Sequence, residues 1–221
     1  REELDKEDIE AVTRGAQGNL DRHIRNMAGF GMPVIVSINR FTADTDGELE
    51  ALSAAARASG AHAVTLTEVH AQGGKGGEAL ARAVVSAIQD HVAAGRPFTP
   101  LFQKDAPIMD KVNSIAKRIY KAEDVAVEAK AKKQLEAIES WGYGHLPVCM
   151  AKTQYSFSHD AGKLGAPVGF TIPVREFRLN AGAGFIVAVL GNMMTMPGLP
   201  KRPAAADMDM DENGRLTGVF G

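Results

Sequence analysis

Val34-Ile-Val-Ser-Ile-Asn-Arg-Phe41 opens on an apolar, largely β-branched run and ends in a polar and aromatic tip. A buried parallel strand reads this way when it delivers side chains to its C-terminal end. In open α/β sheets the crevice beyond such strand ends is where ligands bind. His62-Ala-Val-Thr-Leu-Thr-Glu-Val69 repeats the pattern and runs into His70-Ala-Gln-Gly-Gly-Lys-Gly-Gly77. The expectation is that these two strand ends face one ligand and that the rest of the chain holds them in place.

The flanking segments support that arrangement. Residues 1–29 read as helix, with Leu20, Ile24 and Met27 at helical spacing and a stop between Gly29 and Pro33. Thr45 and Glu48 match a capping box, so a helix is expected from there to about Ser59, ended by Gly60. Glu78 to about Val92 reads as a helix with Leu80, Val84, Ile88 and Val92 on one face. Strand, helix, strand and helix in alternation predict a right-handed parallel βαβ unit. Gly95-Arg-Pro-Phe-Thr-Pro100 breaks the composition, which places an α/β domain at 1–96 and a smaller α+β domain at 97–221. In the second, Pro107 leads a helix bearing Ile108, Val112, Ile115 and Ile119, and another covers about 127–140 with Val127, Ala131, Leu135 and Ile138. Leu146–Met150, Val168–Phe177 and Gly184–Leu190 read as strands, and Met208–Val219 as a hairpin around Asn213-Gly214.

Composition narrows the function classes. The 221 residues are 45% hydrophobic and 24% charged, with a formal net charge of −2. That balance predicts a globular protein with neither nucleic acid nor a membrane surface as partner. Cys149 is the one cysteine, which excludes an internal disulfide and fits a reducing, cytoplasmic setting. No apolar run reaches membrane-spanning length, and the charged first ten residues do not read as a signal peptide. Because the chain starts at Arg1 rather than Met, it is expected to be the C-terminal piece of a longer protein.

Each candidate motif has two readings. After a buried strand, Phe41 can stack on a flat heterocycle while Asn39 orients it, or Phe41 can plug the sheet end and Asn39 cap the turn. Glu68, His70, Gly73 and Gly74 lie in a glycine-rich segment before a helix, where backbone N–H groups can approach an anion. The spacing matches neither G-x-x-x-x-G-K-[ST] nor G-x-G-x-x-G, so the alternative is a flexible connecting loop. Ala151-Lys152-Thr153-Gln154-Tyr-Ser-Phe-Ser158 is either a surface turn or a loop lining a site. Met193–Pro200 reads first as adaptable apolar filler. Asp209-x-Asp211-x-Asn213-Gly214 begins like a calcium loop, but Phe220 stands where its bidentate Glu belongs, so a hairpin is preferred. The six histidines show no metal-ligand spacing, and no protein-only metal site is expected.

Taken together, Asn19-Leu-Asp-Arg-His23, Pro33–Phe41, Asp44-Thr45, Glu68, Gly73-Gly74 and Leu146–Ser156 resemble the C-terminal part of the formate–tetrahydrofolate ligase family. Val174-Arg-Glu176, Ala181–Val187 and Met194–Pro200 extend the resemblance along nearly the whole chain. It implies a P-loop NTPase-like α/β protein, tetrameric when intact, that joins formate to tetrahydrofolate at the expense of ATP, with Mg²⁺ and a monovalent cation such as K⁺. It also implies that the P-loop and the formyl-phosphate residues lie in a missing N-terminal half. The fragment alone is therefore expected to be inactive, and no catalytic residue is assigned within it. The family's ring-clamping aromatics correspond to Phe41 and, where a Trp is usual, His70. The substrate- or nucleotide-binding set is then Asn39, Phe41, Glu68, His70, Gly73 and Gly74. Lys152, Thr153, Gln154, Met196, Pro197 and Gly198 match the family without individual roles. Two alternatives stay open: a mainly structural or oligomerisation segment with no ligand affinity of its own, and an unrelated small α/β binding module.

Overall fold

Thr45 starts the helix that carries the chain from one strand to the next. Its hydroxyl accepts from the Glu48 amide at 3.2 Å, and Glu48 Oε2 accepts from the Thr45 amide at 3.3 Å. This reciprocal capping box satisfies two N–H groups that the helix itself leaves without partners, which contributes about 1 kcal/mol. The resulting helix, α3 (Asp46–Ala58), connects β1 (Ile35–Asn39) to β2 (Ala63–Thr67). The two strands pair in parallel, from Ile35 opposite Ala63 to Asn39 opposite Thr67. At the return, Gly60 adopts φ +98°, a conformation that favours glycine.

The computed structural model describes residues 6–191, 201–212, 214, 216 and 217. Ahead of β1, α1 (Ile9–Gly15) and α2 (Asp21–Ala28) are joined by a π-helical turn at Ala16–Leu20. Beyond β2, the glycine-rich segment forms a one-turn helix, α4 (Val69–Gln72), and a 3-10 turn at Gly73–Gly77. The flexible-loop reading of this stretch is thereby corrected. Glu68 carbonyl accepts from the Ala71 and Gln72 amides, and Glu68 N–H donates to Gly76 carbonyl at 3.1 Å, so the segment closes on itself.

α5 (Glu78–Ala93) follows, but its inward face differs from the expected one. Ala87 is buried and Leu80, Ala83 and His91 are half-buried, whereas Ile88 and Val92 are 56% and 71% exposed. A strict four-residue stripe drifts off a 3.6-residue helix, and small alanines allow α5 to lie close on the strands.

The second half of this part of the chain is built on a four-stranded mixed sheet. α6 (Ile108–Ile115) ends in another π turn, Ala116–Tyr120, and is followed by β3 (Asp124–Val127) and α7 (Ala129–Ser140). β3 was not anticipated. Val127, expected in a helix, ends this strand, where Val125 and Val127 alternate inward and pair beside Ile172 and Val174 of the sheet. The order is β3-β5-β6-β4, with β4 at Val148–Ala151, β5 at Thr171–Asn180 and β6 at Phe185–Leu190. β3 pairs with β5 and β4 with β6 in parallel, while β5 and β6 run antiparallel with a bulge between Val174 and Glu176. Ile108, Val112, Ile138, Ile172, Val174, Phe177, Ile186 and Leu190 fill the core between this sheet and the two helices.

Buried polar contacts tie α2 to this second half. Arg22 donates to the carbonyls of Tyr120, Ala166 and Pro167 at 3.2–3.4 Å, and Asn26 Nδ2 donates to Ile119 carbonyl at 3.0 Å. The remaining described residues belong to a separate unit that begins after Gly191. Within it, β7 (Asp209–Met210) and β8 (Leu216–Thr217) pair antiparallel, in keeping with the expected hairpin, although Asn213 lies outside the described residues. Met193–Pro200, with Met196, Pro197 and Gly198, also lies outside them.

Candidate functional site

Parallel pairing brings the ends of β1 and β2 to one edge. Asn39 sits opposite Thr67, and the next amide, Arg40 N–H, donates to Thr67 carbonyl at 3.0 Å. Thr67 is buried, and its hydroxyl bonds to Ser37 Oγ at 3.1 Å and to Ile38 carbonyl at 3.2 Å. These contacts pin the two strand ends together, so the residues just beyond them share one rim.

On the β1 side, Phe41 N–H donates to Asp44 Oδ2 at 2.7 Å and Asp44 N–H returns to Phe41 carbonyl at 3.1 Å. Asp44, not Asn39, therefore closes this turn. Arg40 is held by Asp46 at 2.9 Å. The Phe41 ring is 65% exposed, so it does not plug the sheet end. A phenyl ring presented on a braced turn offers a flat apolar face to solvent.

On the β2 side, Gln72 Nε2 donates to Glu68 Oε2 at 2.9 Å. His70 projects from α4 and is exposed. Two glycines shape the platform. Gly73 adopts φ 59° and ψ −146°, a region other residues avoid. A Cβ on Gly76 would lie 2.5 Å from the Glu68 carbonyl carbon and oxygen. Gly74, by contrast, has open space around it.

Lys152, Thr153 and Gln154, matched to the family without individual roles, fall elsewhere. They follow β4, and Lys152 and Gln154, with α2, line a cleft of about 380 Å³ that none of the six rim residues lines. Lys152 Nζ donates to the carbonyls of Thr153 and Ser156 and lies 5.4 Å from the centre of the Tyr120 ring. Burial pushes the Tyr120 phenol up to about 12 and depresses the Lys152 ammonium from its ordinary value. Ser156, Phe157 and Ser158 are buried, so this segment is not a surface turn. His23 packs on Phe157 with ring centres 4.7 Å apart.

His23 and Phe157 line this cleft, within the stretches Asn19–His23 and Ala151–Ser158 quoted above, and so do Asn26 and Tyr120, which belong to no motif read from the sequence. Arg22 and Asn26 are polar residues on the buried side of α2, at a four-residue spacing that an apolar stripe does not reveal. That spacing was the available signal.

Comparison with known proteins shows the family. The family model for formate–tetrahydrofolate ligase matches residues 1–220. The chain belongs to the formate–tetrahydrofolate ligase family. It is 49% identical over 220 residues to a formate–tetrahydrofolate ligase of Maricaulis maris and 50% identical over 220 residues to one of Cereibacter sphaeroides. A ligase of Roseobacter denitrificans is 48% identical over 218 residues. These alignments cover 99–100% of this chain but only 38–39% of each relative, so the chain spans well under half of their length.

Proposed function

We propose that the chain is the folate- and nucleotide-facing part of an ATP-dependent ligase that joins formate to tetrahydrofolate, giving 10-formyltetrahydrofolate for one-carbon metabolism. The observation that carries this reading is the exposed Phe41 ring on the same sheet end as Glu68 and His70, in a chain matched to the family over its whole length. Phe41 and His70 offer π faces to the flat ring of the ligand. Asn39 and Glu68 supply an amide and a carboxylate for its edge, and Gly73 and Gly74 keep side chains out of its way.

In the proposed reaction a formate oxygen attacks the γ-phosphorus of ATP and ADP leaves, giving formyl phosphate. N10 of tetrahydrofolate then attacks the formyl carbon, and inorganic phosphate leaves while the amine's proton passes to solvent. We assign the P-loop that holds ATP to the part of the protein beyond the matched span, in a cytoplasmic, P-loop NTPase-like homotetramer. The domain division at 96/97 belongs to the same proposal. Among the described residues no three of His, Cys, Asp and Glu converge on a metal-sized point, so none is assigned to Mg²⁺ or K⁺ and no step is drawn through them.

A calorimetric titration with tetrahydrofolate, and separately with ADP, tests the rim. Phe41→Ala is expected to weaken ring binding about tenfold, equivalent to about 1.4 kcal/mol. His70→Trp is expected to strengthen it, because indole offers a larger face. The chain alone should bind without forming 10-formyltetrahydrofolate. Affinity unchanged by both substitutions would remove the rim from the site.

A second reading has its own support. Val85, Ile88 and Val92 of α5 are each more than half exposed on one side of the helix, which suits a segment that mainly packs against other parts of the assembled protein. Under that reading the chain alone shows no saturable binding while the intact enzyme binds normally.

A further inference from the structure

We propose that the cleft between α2 and the loop after β4 is a second ligand site, shaped for a small aromatic carboxylate whose ring carries an N–H donor. The inference stands apart from the rim at Phe41 and does not depend on it.

Three features specify the ligand. First, Asn26 is 8% exposed, and its Nδ2 is committed to Ile119 carbonyl at 3.0 Å. That bond fixes the amide's orientation, since a carbonyl needs a donor opposite it. Asn26 Oδ1 is then left buried with no hydrogen-bond partner among the described residues, in a residue that lines the cleft. A buried acceptor of this kind is expensive unless a donor reaches it. The ligand must therefore bring an N–H or O–H.

Second, Lys152 carries a charge with no carboxylate in ion-pair range among the described residues, and burial is the only influence resolved on its titration. An ammonium has three N–H groups. Two are engaged by the carbonyls of Thr153 and Ser156, which leaves one. A single free N–H and a single positive charge match a monoanion such as a carboxylate better than a doubly charged phosphate.

Third, the space between those groups is walled by Phe30, Tyr120 and Phe157, with Met27 at the side. These are flat or adaptable apolar surfaces, and they suit a ring. The cleft volume of about 380 Å³ lies within the range of small-molecule sites.

The local backbone adds an independent pointer. Both π-helical turns in the described residues feed this one cleft: Ala16–Leu20 supplies Asn19, and Ala116–Tyr120 supplies Ile119 and Tyr120. Wide turns of this type cost regular hydrogen bonding and occur frequently at functional sites. The second is followed by Lys121 at φ 59°, the one non-glycine residue with a positive φ among those described.

The test is calorimetric titration of the 221-residue chain with 4-aminobenzoate, benzoate and aniline, with side-chain ¹⁵N spectra of Asn26 recorded alongside. Saturable binding of 4-aminobenzoate is expected, with benzoate and aniline each about tenfold weaker, since each lacks one of the two polar contacts. Lys152→Met should lower 4-aminobenzoate affinity at least tenfold, whereas Phe41→Ala should leave it unchanged. The Asn26 side-chain signal should shift in the wild-type chain, a readout that needs no folded variant. Absence of saturable binding, equal affinity for 4-aminobenzoate and benzoate, or an unmoved Asn26 signal overturns the proposal.

Discussion

Gly76→Ala is expected to lower stability by about 2–4 kcal/mol and to displace His70 from the rim. The added Cβ would fall 2.5 Å from both the carbon and oxygen of the Glu68 carbonyl and 2.9 Å from the Val69 amide nitrogen. All three are backbone atoms, so no side-chain rotation relieves the clash. The Glu68 N–H to Gly76 carbonyl bond, 3.1 Å long, closes the same turn and would be lost as the strands of the turn separate. Overpacking of this kind costs about 1–3 kcal/mol, and the broken hydrogen bond about 1 kcal/mol more. Gly74→Ala is the control: nothing lies within 4 Å of its Cβ position, and the change should stay within about 0.5 kcal/mol. Urea unfolding of the two variants gives the comparison. Equal stability of the two would show that the close approach at Gly76 relaxes freely.

Lys111→Met is expected to cost about 2–3 kcal/mol, although it removes a charge from an apolar core. Lys111 is fully buried and its Nζ donates to the carbonyls of His145 and Leu146 at 2.9 and 3.0 Å and, more loosely, to that of Gly144 at 3.4 Å. Each bond from a charged donor is worth about 1.5–3 kcal/mol, and desolvation of the ammonium offsets several kcal/mol of their sum. Methionine recovers that desolvation but leaves the carbonyls facing a thioether. The balance goes against it because more than one backbone acceptor is orphaned at once.

The titration of Lys111 adds a pH signature. Burial depresses it below lysine's ordinary 10.5, so in the alkaline range the unfolded chain holds more protons than the folded one. Its stabilising contribution therefore grows as pH rises through the folded value towards 10.5 and is lost as pH falls below it. The stability gap between wild type and Lys111→Met should widen with pH over that window, as read by denaturant midpoints. A gap that stays constant or narrows would contradict the assigned burial effect.

Most of the scaffold was legible because its signals are local. The capping box at Thr45 and Glu48, the stop at Gly60 and the β-branched runs of β1 and β2 each rest on residues within a few positions of one another. β3 was missed for the complementary reason: four residues with two valines pack equally well into a helix start, and only pairing with β5, more than forty residues on, decides the matter. The face of α5 was misread because valine and isoleucine outrank alanine in hydrophobicity, while close helix–strand approach favours alanine. At the rim, the shared strand end could be expected from sequence, since the ends of a parallel pair coincide, but only the family resemblance pointed to Phe41 and His70 as ring-facing residues. For Asn26 the four-residue spacing from Arg22 was the only local signal, because its unpaired oxygen is set by the bond to Ile119 carbonyl, more than ninety residues later.

The pairing of β1 with β2 alone, among the described residues, also sets a timescale. Every strand of that pair is bonded on one flank only, whereas β5 and β6 are bonded on both flanks and sit at the centre of their sheet. Opening a one-sided strand breaks half as many ladders, so it requires a smaller fluctuation. In deuterated solvent the amides of residues 35–39 and 63–67 should exchange earlier than those of 172–177 and 186–190, as peptide-resolved mass spectrometry would read. The edge that carries Phe41 and His70 is thus the more restless of the two sheets, and a ligand seated there should register as slowed exchange in β1 and β2 with little change in β5 and β6.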